Sequence, residues 1–167
     1  MTQESTPLRL EPVTNATGTA SDRICLTYEE RTRSRLLAQL ESGTGAAVLL
    51  PRGMRLRGGD RLQAPDGAIV EVIAAIEPLL EARIGDATQL ARAAYHLGNR
   101  HVAVEIREGM LRIAYDAVLA RMLSNLGLVS GQVDAPFEPE GGAYGHSHAH
   151  AADGARLAPV IHEYRRS

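Results

Sequence analysis

The change in hydrophobic pattern near Glu77-Pro78 constrains the fold of this 167-residue chain more than any other feature. Before this point, apolar runs are short and are interrupted by turn residues. After it, segments in which every second residue is apolar, as in strands, are interspersed with segments in which apolar residues have helical spacing. A chain of this length fits one or two small domains. We therefore predict an α+β protein of two domains, with the boundary between residues 76 and 77.

The first domain, residues 22–76, is predicted to be all-β, as a small sandwich or barrel-like sheet. Glycines at turn positions and a Pro-Asp-Gly turn between β-branched runs are typical of antiparallel strands. Residues 1–21 are polar and rich in Thr, Ser and Pro, and we predict a flexible segment with room for one strand around residues 8–10. The apolar runs of the domain are 24–28, 46–50 and 68–76.

Two local patterns in this domain need interpretation. Residues 29–40 fit either an amphipathic helix or a strand. We favour the strand, because Arg31, Arg33 and Arg35 alternate and would share one solvent face. Cys25, the only cysteine, lies in an apolar stretch and is interpreted as a small buried hydrophobe. A lone cysteine also excludes a disulfide framework and a Cys-based zinc site within the chain.

The second domain, residues 77–139, is predicted to have the order βαββαβ. This is the ferredoxin-like arrangement, a four-stranded antiparallel sheet with two helices on one face. The first helix begins at a capping box formed by Asp86 and Gln89, and Gly98 is well placed to end it in a left-handed conformation. The remaining predicted elements are strands at 79–84, 102–106, 111–115 and 129–137, and a second helix between Asp116 and Gly127.

Composition and motifs exclude several function classes. A net charge of −2 gives no reason to expect nucleic-acid binding. Because no apolar run reaches membrane-spanning length and the N-terminus lacks a secretory leader, we expect a cytoplasmic protein that binds no membrane. No serine elbow, phosphate-binding loop, zinc-protease or dinucleotide fingerprint is present, so we expect no enzymatic activity. The cluster Arg52, Arg55 and Arg57 fits an acidic partner or, more simply, a solvated hairpin face.

Three of the six histidines alternate near the C-terminus, at His146, His148 and His150. In an extended chain, alternate side chains point the same way, so the three imidazoles can converge on one metal ion. Neutral imidazole suits nickel, zinc, copper and iron. Residues 140–167 are rich in Gly and Ala and contain too little apolar surface for a core. We therefore predict a disordered, His-containing tail that binds metal.

Two further histidines, His96 and His101, flank the predicted end of the first helix. The simpler interpretation is structural. In the last helical turn His96 favours the helix dipole, and His101 is a polar residue at the start of a strand. One histidine alone makes a poor metal site, but a two-fold homodimer would place His101 against its own copy and provide two ligands. The residues alone leave the choice open.

Three stretches of the chain closely resemble one protein family. They are LLPRGMRLRGGD at 49–60, AYHLGNRHV at 94–102 and PFEPEGGAYG at 136–145, followed by the His-bearing tail. Over roughly residues 22–145 the chain resembles UreE, the urease accessory proteins that deliver nickel to apo-urease. The resemblance implies a peptide-binding-like β domain followed by a ferredoxin-like domain for metal binding and dimerisation.

The resemblance also implies a site and partners. It implies that His101 is donated by both subunits of a homodimer to one Ni²⁺ ion, and we expect Zn²⁺ or Cu²⁺ to bind the same site in vitro. The implied partners are the urease-assembly GTPase, UreG, and the apo-urease accessory complex. Some members carry extra histidines where this chain has residues 114–117, and some have a long polyhistidine tail. We therefore expect nickel delivery and not nickel storage.

Two hypotheses of different classes follow. The first is a nickel metallochaperone that acts during maturation of the urease active site and has no catalysis of its own. The alternative is a protein-folding or interaction chaperone that works through the β domain, with metal binding incidental. A zinc hydrolase is disfavoured, because no general base accompanies the histidines.

Overall fold

The structure, a computed structural model, describes residues 6–14 and 18–141 and contains two β-sheets in succession. The elements of the first domain are β1 Leu8–Pro12, β2 Asp22–Leu26, α1 Tyr28–Arg31, β3 Arg35–Gln39, β4 Gly45–Leu49, β5 Arg61–Gln63 and β6 Ile69–Ala74. Those of the second domain are β7 Ile76–Arg83, α2 Ala87–Gly98, β8 Glu105–Arg107, β9 Met110–Ala114, α3 Ala117–Asn125 and β10 Ser130–Pro136.

The first sheet has the strand order β2-β6-β5-β1-β4-β3, and its two edge strands approach each other at one end. There the backbone N–H of Glu41 donates to the carbonyl of Arg23 at 2.9 Å. Aliphatic side chains fill the interior, among them Leu10, Leu62 and Val72, which are fully buried. The prediction of an all-β, barrel-like first domain is confirmed.

The strand that the sequence allowed around residues 8–10 is present as β1, Leu8–Pro12. This strand lies inside the sheet, parallel to β4 and antiparallel to β5. Leu10 is completely buried between these neighbours. The stability of this strand in a polar segment comes from two partners that are distant in sequence.

The interpretation of residues 29–40 as one strand is wrong. The segment starts as α1, whose N-cap Thr27 forms a capping box with Glu30. The Glu30 N–H donates to Thr27 Oγ1 at 3.3 Å, and the Thr27 N–H donates to Glu30 Oε2 at 2.8 Å. Because the helix rotates Arg31 away from solvent, its side chain is 1% exposed and does not share a face with Arg33 and Arg35.

Cys25 is exposed, which corrects its interpretation as a buried hydrophobe. Within β2, the neighbouring Ile24 and Leu26 are buried in the core of the sheet. Successive side chains of a strand point to opposite faces, so burial of these two residues places Cys25 outside.

The second sheet has the strand order β10-β7-β9-β8, and every pair is antiparallel. Side chains from α2 and α3, including Ala93, Leu97 and Leu123, pack in one core with Leu111 and Ile113 of β9. The predicted ferredoxin-like order βαββαβ is confirmed. The second strand of this domain along the chain, the edge strand β8, is shorter than expected, because it begins at Glu105 and residues 102–104 precede it as a loop.

Residues 137–140, here called the junction segment, contact both domains. The ring of Phe137 is 1% exposed and meets the edge of Tyr28, with centroids 5.2 Å apart. The Arg31 guanidinium donates to the Phe137 carbonyl and, at 2.8 Å, to Glu138 Oε1. On the other side, the Glu138 N–H donates to Glu105 Oε2 at 3.1 Å. The segment therefore ties the first domain to the sheet of the second.

Candidate metal site

Helix α2 is the element that positions His96 and His101. Asp86 caps its N-terminus, where Asp86 Oδ1 accepts a hydrogen bond from the Thr88 N–H at 3.0 Å. Ala93 and Leu97 are completely buried and hold the helix against the sheet. The C-terminal end of the helix is thus fixed relative to the core of the domain.

The prediction that Gly98 ends the helix in a left-handed conformation is wrong. Gly98 is helical, and the left-handed residue is His101, with φ = 56°. The His101 N–H donates to the Gly98 carbonyl at 2.9 Å, and the Val102 N–H donates to the Leu97 carbonyl at 3.2 Å. These two bonds form a Schellman motif in which His101 occupies the position that glycine usually takes.

A residue with a Cβ in this conformation carries a backbone energy of about 1–2 kcal/mol, although histidine tolerates it better than most residues. The surroundings maintain the conformation. The half-buried Val102 packs against the core of the second domain immediately after the turn. Meanwhile the His101 side chain is exposed. The backbone of His101 is therefore rigid while its imidazole is open to solvent.

His96 occupies the last turn of α2 and is half-buried. Its ring meets the Tyr95 ring edge to face, with centroids 5.4 Å apart. Its carbonyl accepts a hydrogen bond from Arg100 Nη1 at 3.0 Å, which satisfies one of the free carbonyls of the helix end. These contacts give His96 a structural role at the turn and leave His101 as the accessible imidazole.

The electrostatics of the helix end suit a cation. The partial negative charge at the C-terminus of a helix stabilises nearby positive charge by about 0.3–1 kcal/mol at exposed sites. Within residues 6–14 and 18–141, no group of three or more His, Cys, Asp or Glu side chains could hold a metal ion. His101 is thus a candidate ligand whose further ligands must come from outside that part of one chain.

The other predicted ligands, His146, His148 and His150, lie outside the described residues. The structure does define where the chain leads into them. The Glu140 N–H donates to the carbonyl of Val104 at 2.8 Å, and Gly141 is the last described residue. The chain therefore leaves the second domain beside the loop that follows His101.

A charge network underlies the same part of the second domain and was missed at the sequence level. Glu81, buried on the face of the sheet opposite the helices, accepts hydrogen bonds from Arg112 Nε at 2.8 Å and Arg83 Nε at 2.9 Å. The bonds to Arg112 and then to Arg83 hold the pKa of the Glu81 carboxyl below its ordinary value. Arg112 also lies 3.7 Å from Glu105, which receives the Glu138 N–H.

Of the features that the sequence analysis missed, only helix α1 carried a local sequence signal, which is the Thr27-x-x-Glu30 capping box. The burial of Arg31 and the pairing of Glu81 with Arg112 depend on elements that are distant in sequence. No spacing rule reveals such pairs.

Comparison with known proteins assigns both domains to one family. The family model described as UreE urease accessory protein, N-terminal domain, matches residues 6–75, and the corresponding C-terminal domain model matches residues 77–164. The urease accessory protein UreE of Cupriavidus necator is 52% identical over 148 residues, which cover 85% of this chain and 77% of that protein. The protein of the same name from Cupriavidus pinatubonensis is 52% identical over 148 residues, covering 85% and 67% respectively. For a Burkholderia pseudomallei protein of that name the identity is 52% over 130 residues, covering 78% of this chain and 64% of that protein.

The fold and the family matches together define the class of this protein. It is a two-domain accessory protein in which a barrel-like β domain is joined to a ferredoxin-like domain. Within that class the chain belongs to the UreE urease accessory protein family. The resemblance inferred from the motifs is thereby confirmed. In the described part of the chain, no helix is long and apolar enough to cross a bilayer.

Proposed function

We propose that this protein binds Ni²⁺ as cargo and delivers it during maturation of the urease active site, with no catalysis of its own. The observation that carries the proposal is the exposed imidazole of His101 in a UreE family member. The left-handed backbone of this residue is held by hydrogen bonds at the end of α2. A fixed and open imidazole can take up an ion and release it again. Delivery requires this exchange.

The proposal includes a homodimer in which His101 is supplied by both copies. One imidazole binds a divalent ion weakly, whereas a residue near a two-fold axis appears twice. Apolar exposure supports dimerisation through the second domain. Of the seven exposed large apolar side chains among the described residues, six belong to elements of this domain or to the residues between them. They are Ile76, Tyr95, Ile106, Tyr115, Val118 and Val129.

In this proposal His146, His148 and His150 complete the coordination or recruit ions to the shared site. The anchoring of Glu140 to Val104 supports the idea, because it starts the tail near the His101 loop. Chemistry alone does not choose nickel, since imidazole sites bind copper more tightly than nickel and often bind zinc comparably. Nickel therefore rests on family membership and on supply in the cell.

The partners proposed for delivery are UreG, the urease-assembly GTPase, and the apo-urease accessory complex, and the proposed compartment is the cytoplasm. The names of the related proteins support a role in the service of urease. The alternative, an interaction chaperone with incidental metal binding, is favoured by one observation. Leu37 on the outer face of β3 is 75% exposed, which suits contact with another protein.

The proposal is tested by nickel titration of His101→Asn and His96→Gln in equilibrium dialysis. Asparagine adopts the left-handed conformation readily, so this variant removes the imidazole and preserves the turn. We expect His101→Asn to lose tight nickel binding, with the dimer intact by gel filtration, and His96→Gln to retain it. Because protons compete for imidazole nitrogen, binding to the unaltered protein should also weaken between about pH 7 and 5.5. Full nickel binding by His101→Asn would refute the proposal.

A further inference from the structure

Four exposed arginines of the first domain have no carboxylate partner among the described residues. They are Arg35, Arg52, Arg55 and Arg57, and together they are called the arginine surface. Three other exposed arginines of the first domain are paired with carboxylates, Arg9 with Glu11, Arg23 with Glu71 and Arg33 with Glu29. The arginine surface is therefore a local excess of positive charge on a chain whose net charge is −2.

Backbone hydrogen bonds bring these arginines together. The Leu50 N–H donates to the Ser34 carbonyl at 2.8 Å, and the Leu56 N–H donates to the Arg31 carbonyl at 3.0 Å. Residues 31–35 and 50–57 therefore run side by side, and each of the two segments contributes to the arginine surface. Arg35 also lies opposite Leu49 in the pairing of β3 with β4.

Part of this surface is held in place by contacts that leave its charge unneutralised. Arg55 Nη1 donates to the Tyr28 hydroxyl at 3.2 Å, and its guanidinium lies 5.8 Å from the centre of the Tyr28 ring. The ring is in turn packed against the buried Phe137. A guanidinium oriented in this way loses less side-chain entropy when a carboxylate binds to it.

The arginine surface adjoins the root of the His-containing tail. A side chain added at Gly141 would place its Cβ 3.9 Å from Arg57 Nη2. His146 follows Gly141 by five positions, a span of at most about 18 Å when the chain is fully extended. A partner bound at the arginine surface would thus lie within the distance that the chain between Gly141 and His146 can span.

The apolar side chain beside these charges favours a protein over a nucleic acid. Leu37 is 75% exposed and points to the same face of β3 as Arg35, two residues away. Binding of single-stranded nucleic acid relies on aromatic platforms for base stacking. Tyr28 is the aromatic residue next to the arginines, and its ring already contacts Phe137 and Arg55.

We propose that the arginine surface, together with Leu37, docks an acidic and partly apolar segment of the protein that receives the metal ion. The proposal rests on the delivery function above and adds the surface that holds the recipient. Charge steers the encounter, and Leu37 supplies apolar contact in the bound state. Docking here places the recipient next to the tail root while leaving His101 free to hold the ion.

The test uses the full-length protein and fluorescence anisotropy with a short labelled peptide of alternating Glu and Leu. The probe variant is Arg35→Glu/Arg52→Glu. The matched control is Arg92→Glu/Arg121→Glu, which changes the net charge equally at two exposed arginines on the helices of the second domain. We expect the probe variant to weaken peptide binding by roughly tenfold or more and the control to weaken it by less than about threefold. Leu37→Ser should weaken it as well.

Three results would overturn the proposal. The first is the absence of binding between the unaltered protein and the acidic peptide at low ionic strength. The second is an equal loss in probe variant and control, which would reveal only a response to net charge. The third is tighter binding of a labelled oligothymidylate that the probe variant abolishes, which would identify a nucleic-acid surface. Nickel dialysis on the same variants separates this proposal from the delivery function, because docking should fail in the probe variant while nickel binding persists.

Discussion

Replacing His101 by Gly should stabilise the metal-free protein while removing the imidazole proposed as its metal ligand. The left-handed backbone at φ = 56° carries an energetic penalty that glycine does not have. The imidazole is exposed, so its loss removes little packing. His101→Gly therefore separates what the residue contributes to folding from what it contributes to binding.

The size of the effect can be worked out from the turn. Relief of the left-handed strain provides about 1 kcal/mol, the low end of the general range, because histidine tolerates this region better than most residues. The extra freedom of glycine in the unfolded chain offsets about 0.4–1 kcal/mol. The net gain should be about 0–0.6 kcal/mol. His101→Ala keeps the strain and should lie about 1 kcal/mol below His101→Gly, or about 2–4 °C in Tm for a chain of this size.

Two glycines of the same domain supply matched controls. Gly127 ends α3 at φ = 80°, with the Leu128 N–H donating to the Leu123 carbonyl at 3.1 Å, so Gly127→Ala should destabilise by about 1 kcal/mol. Gly98 is helical, and a Cβ there would meet no atom within 4 Å. Gly98→Ala should therefore stabilise by about 0.5 kcal/mol.

The assay is urea unfolding followed by circular dichroism, in chelator and at one fixed protein concentration, since the stability of the proposed dimer would depend on concentration. The expected order of stability is His101→Gly, then the unaltered protein, then His101→Ala. If the alanine and glycine variants unfold at the same midpoint while Gly127→Ala shows its expected loss, His101 is not left-handed in solution. If Gly98→Ala destabilises the protein instead, Gly98 and not His101 is the left-handed residue that ends the helix.

Three further predictions concern the framework around the site. Arg31→Met should destabilise by about 3 kcal/mol in urea, because it strips hydrogen bonds from the buried carbonyls of Leu56 and Phe137; a loss below about 1 kcal/mol would contradict that role. Asp116→Ala should cost about 1 kcal/mol in thermal unfolding by removing the N-cap of α3, and an unchanged Tm would contradict the cap. The lowered pKa of Glu81 means that its ionised form stabilises the fold above about pH 4.5 and loses this contribution as the pH falls through the lowered pKa. Glu81→Gln should thus be less stable at pH 7, with a gap that closes in acid; a gap independent of pH would refute the linkage.

Much of the second domain could be read from the sequence, because its signals are local. The order βαββαβ followed from hydrophobic period, the start of α2 from Asp86, and the end of α3 from Gly127. In the first domain, glycine-rich turns and β-branched runs predicted a barrel-like sheet. Such signals act within one turn of helix or one strand, where neighbouring residues decide the conformation.

The errors share a different physical origin. Arg31 was placed on a solvent face, yet its guanidinium is buried and donates to Leu56 and Glu138, residues 25 and 107 positions away. For β1 the sequence allowed a strand, but the position of this strand inside the sheet depends on β4 and β5, which lie far along the chain. Contacts of this kind have no sequence spacing by which they could be recognised.

The candidate ligand itself shows both sides. Sequence alone determined that a histidine follows the end of α2 and that the chain resembles UreE proteins. Only the tertiary structure decided that His101, and not Gly98, takes the left-handed position. Local propensity favours glycine for that conformation, but burial of Leu97 and packing of Val102 set where the helix stops. Because core packing outweighs about 1 kcal/mol of backbone strain, the turn falls at His101 and presents its imidazole to solvent.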